Sequence, residues 1–234
     1  MRIGVIDSGI GGLTVLKELI KKYPNNQYIY YGDTLNNPYG NKNKYELFKL
    51  SRKMIDYLTS EQVDAIVIAC GTISVNVYQE LKEIYNIKLY SVMEPVIRYI
   101  NSHNEKIGII ATEMTIKSGL FNSLDFKRSC LMFVPLIEKR KYREMDKYID
   151  EYLCDCHVDA LIMGCTHYPI IEDRLNKYFS NRVKLINMGV LLELDDVIDS
   201  DKDVLINFSM LNEEIIKNTK EILKGIKFEI REVK

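Results

Sequence analysis

The sequence lacks a long hydrophobic run, an excess of charge and a nucleotide-binding fingerprint. No apolar stretch approaches the roughly 18 residues that a membrane span needs. Lys and Arg number 32 against 33 Asp and Glu, and the net charge of −1 gives no global reason to expect nucleic acid or an anionic membrane as a partner. Neither G-x-G-x-x-G nor a Walker pattern is present. The remaining class is a globular protein, and 234 residues allow one large α/β domain or two small ones.

The cysteine content does not fit a disulfide framework, because the chain has five cysteines, an odd number. Two of them, Cys70 and Cys165, end apolar stretches that are typical of buried strands. The apolar part of residues 1–12 is too short for a signal peptide, and an acidic residue interrupts it too early. We therefore expect reduced thiols and a cytoplasmic protein.

Short apolar stretches alternate with segments of helical periodicity along the whole chain. This order predicts parallel sheets with helices on both faces. Strands are predicted at residues 2–6, 28–31, 65–69, 88–92, 106–112, 131–135, 160–163 and 183–187, with a β-like segment at 227–233. Helices are predicted from residue 13, at 44–60, 74–85, 94–102 and 142–156, after residue 169, and at 211–223.

Two patterns recur in the same order along the chain. A basic-Ile-Gly-x-Ile opening begins at Arg2 and again at Lys106, and Asp-Ala-x₄-Cys ends at Cys70 and again at Cys165. Their shared order predicts two pseudo-symmetric α/β domains that face each other across one cleft. We place the first domain at residues 1–94, joined by the C-terminal helix within 205–234, and the second at residues 95–204.

Two thiols on opposite walls of one cleft suggest proton transfer at carbon. A thiolate can remove a proton from one face of a substrate, and a thiol can deliver a proton to the other face, which inverts the carbon. Asp7 and His167, one near the strand ends of each half, are candidates to tune the two thiols. For any single cysteine the alternative is a buried thiol that only fills the core.

The other cysteines and the first glycine-rich turn have simpler interpretations. Cys130, Cys154 and Cys156 are assigned to packing, because C-x-C-H at residues 154–157 lacks the second ligand pair of a zinc site. No metal is expected. The turn S-G-I-G-G at residues 8–12 could cradle an anion with its backbone N–H groups, or it could be only a tight turn between strand and helix.

Six motifs are spread over most of the chain, in the order that one protein family shows. They are D-S-G-x-G-G-L-T-V at residues 7–15, Y-G-D-T at 31–34, P-Y-G at 38–40, A-T-x-x-T-I-x-S-G at 111–119, F-V-P-L at 133–136 and G-C-T-H-Y-P at 164–169. With these motifs the chain resembles the glutamate racemases, within the aspartate/glutamate racemase superfamily.

The resemblance implies a cofactor-independent racemase that interconverts L- and D-glutamate and supplies the D-isomer for peptidoglycan. It implies a homodimer, and Cys70 and Cys165 as the acid–base pair with Asp7 and His167 beside them. No lysine in a comparable strand-end motif offers a pyridoxal anchor. The implied substrate contacts are Asp7, Ser8, Tyr39, Gly40, Gly71, Thr72, Thr166 and His167.

Two departures from the family pattern leave three functions open. The first cysteine is followed by Gly71, where the family pattern reads C-N-T, and residues 186–189 read I-N-M-G in place of a pattern closer to I-D-S-G. The chain could racemise glutamate, racemise another amino acid for which Gly71 makes room, or bind a ligand with little turnover. Replacing Gly71 by Asn would raise glutamate activity if Gly71 is only a lesion. A fall in this activity, with no gain on another amino acid, would mean that the pocket has been rebuilt around glycine.

Overall fold

The computed structural model describes residues 1–195, 197–200 and 202–233. In this part of the chain the strands are β1 (Arg2–Asp7), β2 (Gln27–Gly32), β3 (Ala65–Ile68), β4 (Lys88–Ser91), β5 (Ile107–Ala111), β6 (Phe126–Ser129), β7 (Ala160–Met163), β8 (Lys184–Asn187), β9 (Asp203–Phe208) and β10 (Glu229–Glu232). The α-helices are α1 (Leu13–Lys22), α2 (Lys44–Ser60), α3 (Gly71–Asn76), α4 (Tyr78–Ile84), α5 (Met93–Ser102), α6 (Glu113–Lys117), α7 (Phe133–Glu138), α8 (Tyr142–Leu153), α9 (Glu172–Tyr178), α10 (Met188–Leu191) and α11 (Glu213–Ile222). Two 3₁₀ turns lie at Tyr39–Asn41 and Tyr168–Ile171.

The strands form two sheets in which neighbouring strands are parallel. The first sheet has the order β10-β9-β2-β1-β3-β4, and the second has the order β6-β5-β7-β8. The run β2-β1-β3-β4 and the whole second sheet therefore share one topology. The prediction of two parallel-sheet α/β units is confirmed by this arrangement.

The central strands β1, β3, β5 and β7 are buried along nearly their whole length, because helices cover both faces of each sheet. In β1, Val5 contributes to one buried cluster while its neighbour Ile6 contributes to another on the opposite face. The cluster that contains Val5 continues into the second sheet through Ile109 of β5 and Ile162 of β7. Because the two sheets share this hydrophobic core, burial holds them against each other.

The strand predicted at residues 131–135 is wrong. The edge strand β6 ends before this stretch, at Ser129, and residues 133–138 form α7. Phe133, Leu136 and Ile137 are buried, and their spacing of three and four residues marks one face of a helix. A short apolar run fits the two-residue period of a strand as well as the 3.6-residue period of a helix. β6 itself, Phe-Lys-Arg-Ser, was not predicted because it contains no apolar run.

Two further differences concern element boundaries and the C-terminal part of the chain. The helix predicted at residues 74–85 is divided into α3 and α4 at Val77, whose ψ of 2° interrupts the helical path. The C-terminal part contributes β9 as well as α11 and β10, and β9 pairs with β2 inside the first sheet. No strand was predicted from the sequence at the position of β9.

No helix in the described part of the chain is long and apolar enough to span a membrane.

A capping box fixes the start of α2 next to the loop that carries Tyr39 and Gly40. The side chain of Asn43 accepts a hydrogen bond from the backbone N–H of Glu46, and the Glu46 carboxylate accepts one from the Asn43 N–H. We expect Asn43→Ala to lower the free energy of unfolding by about 1 kcal/mol. Chemical denaturation measures this loss, with Asn101→Ala, an exposed position late in α5, as the control. Equal stabilities of the two variants would contradict it.

Candidate functional site

A cavity of about 310 Å³ lies where the carboxyl ends of strands from both sheets meet. This edge of a parallel sheet is where α/β proteins bind ligands, and the volume is within the roughly 300–1,000 Å³ of small-molecule sites. Both predicted acid–base thiols lie on its wall. The predicted residues that line it are Ser8, Tyr39, Gly40, Cys70, Gly71, Thr72, Cys165, Thr166 and His167.

The first thiol belongs to Cys70, which follows β3 and precedes the first residue of α3. Its Sγ atom lies 3.8 Å from the hydroxyl oxygen of Ser8, the residue that follows β1. Burial, together with the nearby Asp7 carboxylate, raises the pKa of the Cys70 thiol to about 12. At neutral pH Cys70 is therefore a neutral thiol that holds its proton.

The second thiol, Cys165, follows β7 and lies beside the buried His167, which in turn contacts the partly buried Glu138. Nδ1 of His167 lies 3.8 Å from the Cys165 sulfur, and Nε2 of the same ring lies 3.0 Å from the Glu138 carboxylate. Burial by itself would lower the pKa of His167, but the hydrogen bonds to Cys165 and Glu138 outweigh it and raise this pKa well above the usual range. A protonated imidazole thus lies between the Cys165 sulfur and the Glu138 carboxylate.

Glu138 is held in place from two sides. Its carboxylate also accepts a hydrogen bond of 2.7 Å from the side-chain amide of Asn37, which comes from the first-sheet side of the cleft. Burial tends to raise the pKa of Glu138, yet the hydrogen bond and charge of His167 lower it below its usual value. Glu138 is therefore a carboxylate at neutral pH, and it orients the imidazole toward Cys165.

Asp7, which the sequence analysis proposed as a catalytic and substrate-binding residue, does not line the cavity. It is fully buried behind the wall, where its carboxylate accepts hydrogen bonds from the Gly9 N–H at 3.0 Å and from the Thr166 hydroxyl at 3.2 Å. Burial raises the pKa of Asp7, although the charge of His167 opposes this shift. Asp7 links the end of β1 to the residue after Cys165.

The glycine-rich turn before α1 allows a close approach between the two sheets. A Cβ atom on Gly11 would collide with the Thr166 hydroxyl and would lie 2.5 Å from Nδ1 of His167. The hydroxyl of Thr14, in the first turn of α1, donates a 2.9 Å hydrogen bond to the Thr166 carbonyl. The turn therefore packs against the segment that follows Cys165, a role that neither of the two interpretations of this turn included.

Hydroxyl groups supply much of the polar surface of the cavity. The Thr72 and Thr112 hydroxyl oxygens lie 2.9 Å apart across the cleft, and Thr112 is 3.0 Å from the Thr115 hydroxyl. Within the described residues, no Lys or Arg lines the cavity. An anionic ligand here would therefore be held by hydroxyls, amides and backbone N–H groups, with the His167 imidazole as the cationic side chain on the wall.

Three lining or supporting residues were missed as site residues by the sequence analysis. Glu138 directly follows the F-V-P-L-I run, Thr112 is part of the A-T-x-x-T motif, and Asn37 precedes P-Y-G. Each of them stands in or next to a motif that carried the family resemblance. That adjacency was the available signal, but only the tertiary contacts show that these side chains reach the cleft.

The cysteines assigned to packing occupy different environments. Cys130 is buried and borders the cavity, Cys156 is buried elsewhere, and Cys154 is exposed. Among residues 1–195, 197–200 and 202–233, no group of three or more His, Cys, Asp or Glu side chains is arranged to hold a metal ion.

Similar proteins are found by both sequence and structure. A glutamate racemase of Thermoanaerobacter pseudethanolicus is 32% identical over 96% of this chain and 88% of its own length. The glutamate racemase of Francisella tularensis, solved with D-glutamate, superposes with a TM-score of 0.84 at 29% identity, covering 100% of this chain and 97% of its own. The enzyme of Thermus thermophilus, solved with β-chloro-D-alanine, gives 0.83 at 29% identity, covering 99% and 96%. No family model matches the chain.

The raised pKa of Cys70 has a consequence for stability at alkaline pH. A thiol in the unfolded chain ionises near about 8.5, whereas folded Cys70 stays neutral up to about 12. The contribution of the neutral Cys70 thiol to the free energy of unfolding is fully present below the pKa of this thiol in the unfolded chain. It is lost as the pH rises toward the pKa of the same thiol in the folded protein. Between about pH 7.5 and about pH 9.5, wild type should lose on the order of 1 kcal/mol more than Cys70→Ser. Urea denaturation at both pH values measures this difference, and parallel losses would contradict it.

The pair of His167 and Glu138 can be tested by titration of the imidazole. Glu138→Gln keeps the shape of the side chain but removes its charge, so the pKa of His167 should fall by about 1 to 3 pH units. Histidine NMR resonances followed against pH measure the change, and His103 and His157 serve as internal references. An unchanged His167 titration would show that Glu138 does not hold the imidazole proton.

Proposed function

The chain belongs to the glutamate racemases, a family of isomerases, and from that premise we propose that it interconverts L- and D-glutamate by two-base proton transfer between Cys70 and Cys165. The observation that carries this proposal is the position of both thiols, at the ends of β3 and β7, on the wall of one cavity. Its carboxyl-end location, and a wall in which His167 is accompanied by hydroxyls and amides rather than by Lys or Arg, fit a small zwitterionic ligand.

The proposed step is a proton transfer at the α-carbon. One sulfur, as thiolate, takes the α-proton, and the electron pair of the C–H bond stays on the substrate as a carbanion conjugated with its carboxylate. The other sulfur, as thiol, gives its proton to the opposite face, and its S–H electron pair stays on sulfur. The product is the mirror image, and the two thiols have exchanged protonation states. They must exchange protons again before the next turnover in the same direction.

The surrounding residues stabilise the charges that this step creates. We assign His167 the role of exchanging its Nδ1 proton with Cys165, because the ring is held by Glu138 on its other side. We assign Ser8 a similar supporting role beside Cys70. Asp7 acts through Thr166, whose hydroxyl it orients. Preorganised donors in a cavity with little water are the means by which such a site can stabilise a carbanion without a cofactor.

The remaining assignments follow from the family. Substrate contacts are proposed at Ser8, Tyr39, Gly40, Thr72 and Thr166, all of which border the cavity. We also propose a cofactor-independent cytoplasmic homodimer that supplies D-glutamate for peptidoglycan. The domains would be residues 1–94 with 205–234, and residues 95–204.

The idea that Gly71 makes room for a different substrate has little support. A Cβ atom at this position would lie 2.7 Å from the Gly164 carbonyl oxygen and 2.8 Å from the terminal methyl group of Met93. Protein atoms therefore occupy the space beside Gly71. Glutamate remains the substrate that we propose.

Loss of either thiol should abolish racemisation. A serine hydroxyl is a far weaker acid than a thiol, so it supplies almost no base at neutral pH. We expect Cys70→Ser and Cys165→Ser each to leave the circular dichroism of L-glutamate unchanged over time, while wild type brings the signal to zero without any added cofactor. Cys154→Ser, at an exposed position away from the cavity, is the matched control. Wild-type rates in either of the first two variants would refute the two-thiol mechanism.

A further inference from the structure

The residue after Cys70 and the residue before Cys165 lie in direct contact. A Cβ atom on Gly71 would lie 2.7 Å from the carbonyl oxygen of Gly164, closer than real Cβ atoms approach other atoms. It would also lie 2.8 Å from Cε of Met93, but that atom is the free end of a flexible side chain. The carbonyl is part of the backbone that leads into Cys165. A side chain at position 71 therefore presses on the backbone between β7 and the second thiol.

The backbone at Gly164 is held by a hydrogen bond and by close packing. Its N–H donates a 2.8 Å hydrogen bond to the carbonyl of Ile110, in the neighbouring strand β5. A Cβ atom on Gly164 would itself lie 2.8 Å from Cδ1 of Ile109, so the space beside the Gly164 Cα is filled as well. Any added volume at Gly71 must therefore push the strand ends of the two sheets apart.

We propose that Gly71 is a positioning residue: its lack of a side chain lets the Gly164 carbonyl rest against it, and this contact sets the separation of Cys70 and Cys165. The inference rests on the proposed two-thiol racemisation and adds a residue that controls its geometry. The asparagine of the family pattern has a Cβ atom at this position and would meet the same carbonyl. In this chain the pocket is built around glycine.

The contact matters because two-base inversion needs both sulfurs close to the same carbon, one on each face. If the strand ends part by several tenths of an ångström, one thiol still reaches the α-proton while the other reaches the opposite face less well. Proton abstraction followed by return of a proton to the same face then competes with inversion. Substrate binding changes less, because hydroxyls of both sheets still border the cavity.

The test is Gly71→Ala, which adds one methyl group beside the carbonyl. Displacement of a reacting group by about 1 Å costs about 100-fold in rate, so a displacement of several tenths of an ångström should lower kcat for L- and D-glutamate by about 10-fold, with KM little changed. In D₂O, the ratio of deuterium in recovered substrate to deuterium in inverted product should rise above the wild-type ratio. A role in folding alone would not change this ratio.

Two further variants separate the backbone contact from other effects. Gly71→Ala combined with Met93→Ala removes the flexible obstacle but keeps the carbonyl, so it should fold more easily and remain slow relative to Met93→Ala. Gly108→Ala is the control for core crowding, because its Cβ would lie 3.0 Å from Phe126 Cβ, away from the cavity. It should lower the thermal midpoint and leave the deuterium ratio unchanged.

The outcomes distinguish this inference from the function on which it rests. An active wild type with an unimpaired Gly71→Ala variant, or full rescue by Met93→Ala, would overturn the inference and leave the racemase proposal intact. A wild-type protein that neither racemises glutamate nor exchanges its α-proton would overturn both. Slow inversion with a raised deuterium ratio in the single and double variants would support the positioning role.

Discussion

The site depends on close backbone contact between the strand ends of the two sheets. On one side of the cleft the Thr166 hydroxyl donates to the Asp7 carboxylate, and Gly11 packs against the same segment without a side chain. Beside the thiols, Gly71 meets the carbonyl of Gly164. Because these contacts involve residues adjacent to the two cysteines, the packing between the sheets and the geometry of the proposed chemistry cannot be varied independently.

The shared core explains why such close contacts are maintained. One hydrophobic cluster passes from β1 and β3 of the first sheet into β5 and β7 of the second. Burial of apolar surface is non-directional, so it presses the sheets together without fixing their register. The register comes from directional contacts, such as the hydroxyl pair of Thr72 and Thr112 and the hydrogen bond from Thr14 to Thr166. Close packing then leaves little freedom for substitutions at the interface.

The buried charges form a network in which each member has a partner. Asp7, His167 and the partly buried Glu138 would each be costly in an apolar interior, but hydrogen bonds connect them to Thr166, to each other or to Asn37. The two cysteines therefore lie in different electrostatic environments. The environment of Cys70 keeps that thiol protonated, while Cys165 stands beside a protonated imidazole.

The sequence by itself determined the alternating α/β class, the internal repeat, and the placement of a thiol after one central strand in each half. These features follow from local periodicity and from motifs, which a single chain displays without its fold. It misassigned residues 131–135 and left β9 unassigned, because short apolar runs fit either period and the pairing of β9 with β2 is non-local. Only the tertiary structure placed Asp7 behind the wall, brought Glu138 and Asn37 to His167, and set Gly71 against Gly164. These relations join residues that are far apart in the chain, and packing distances between such residues are not encoded in any local pattern.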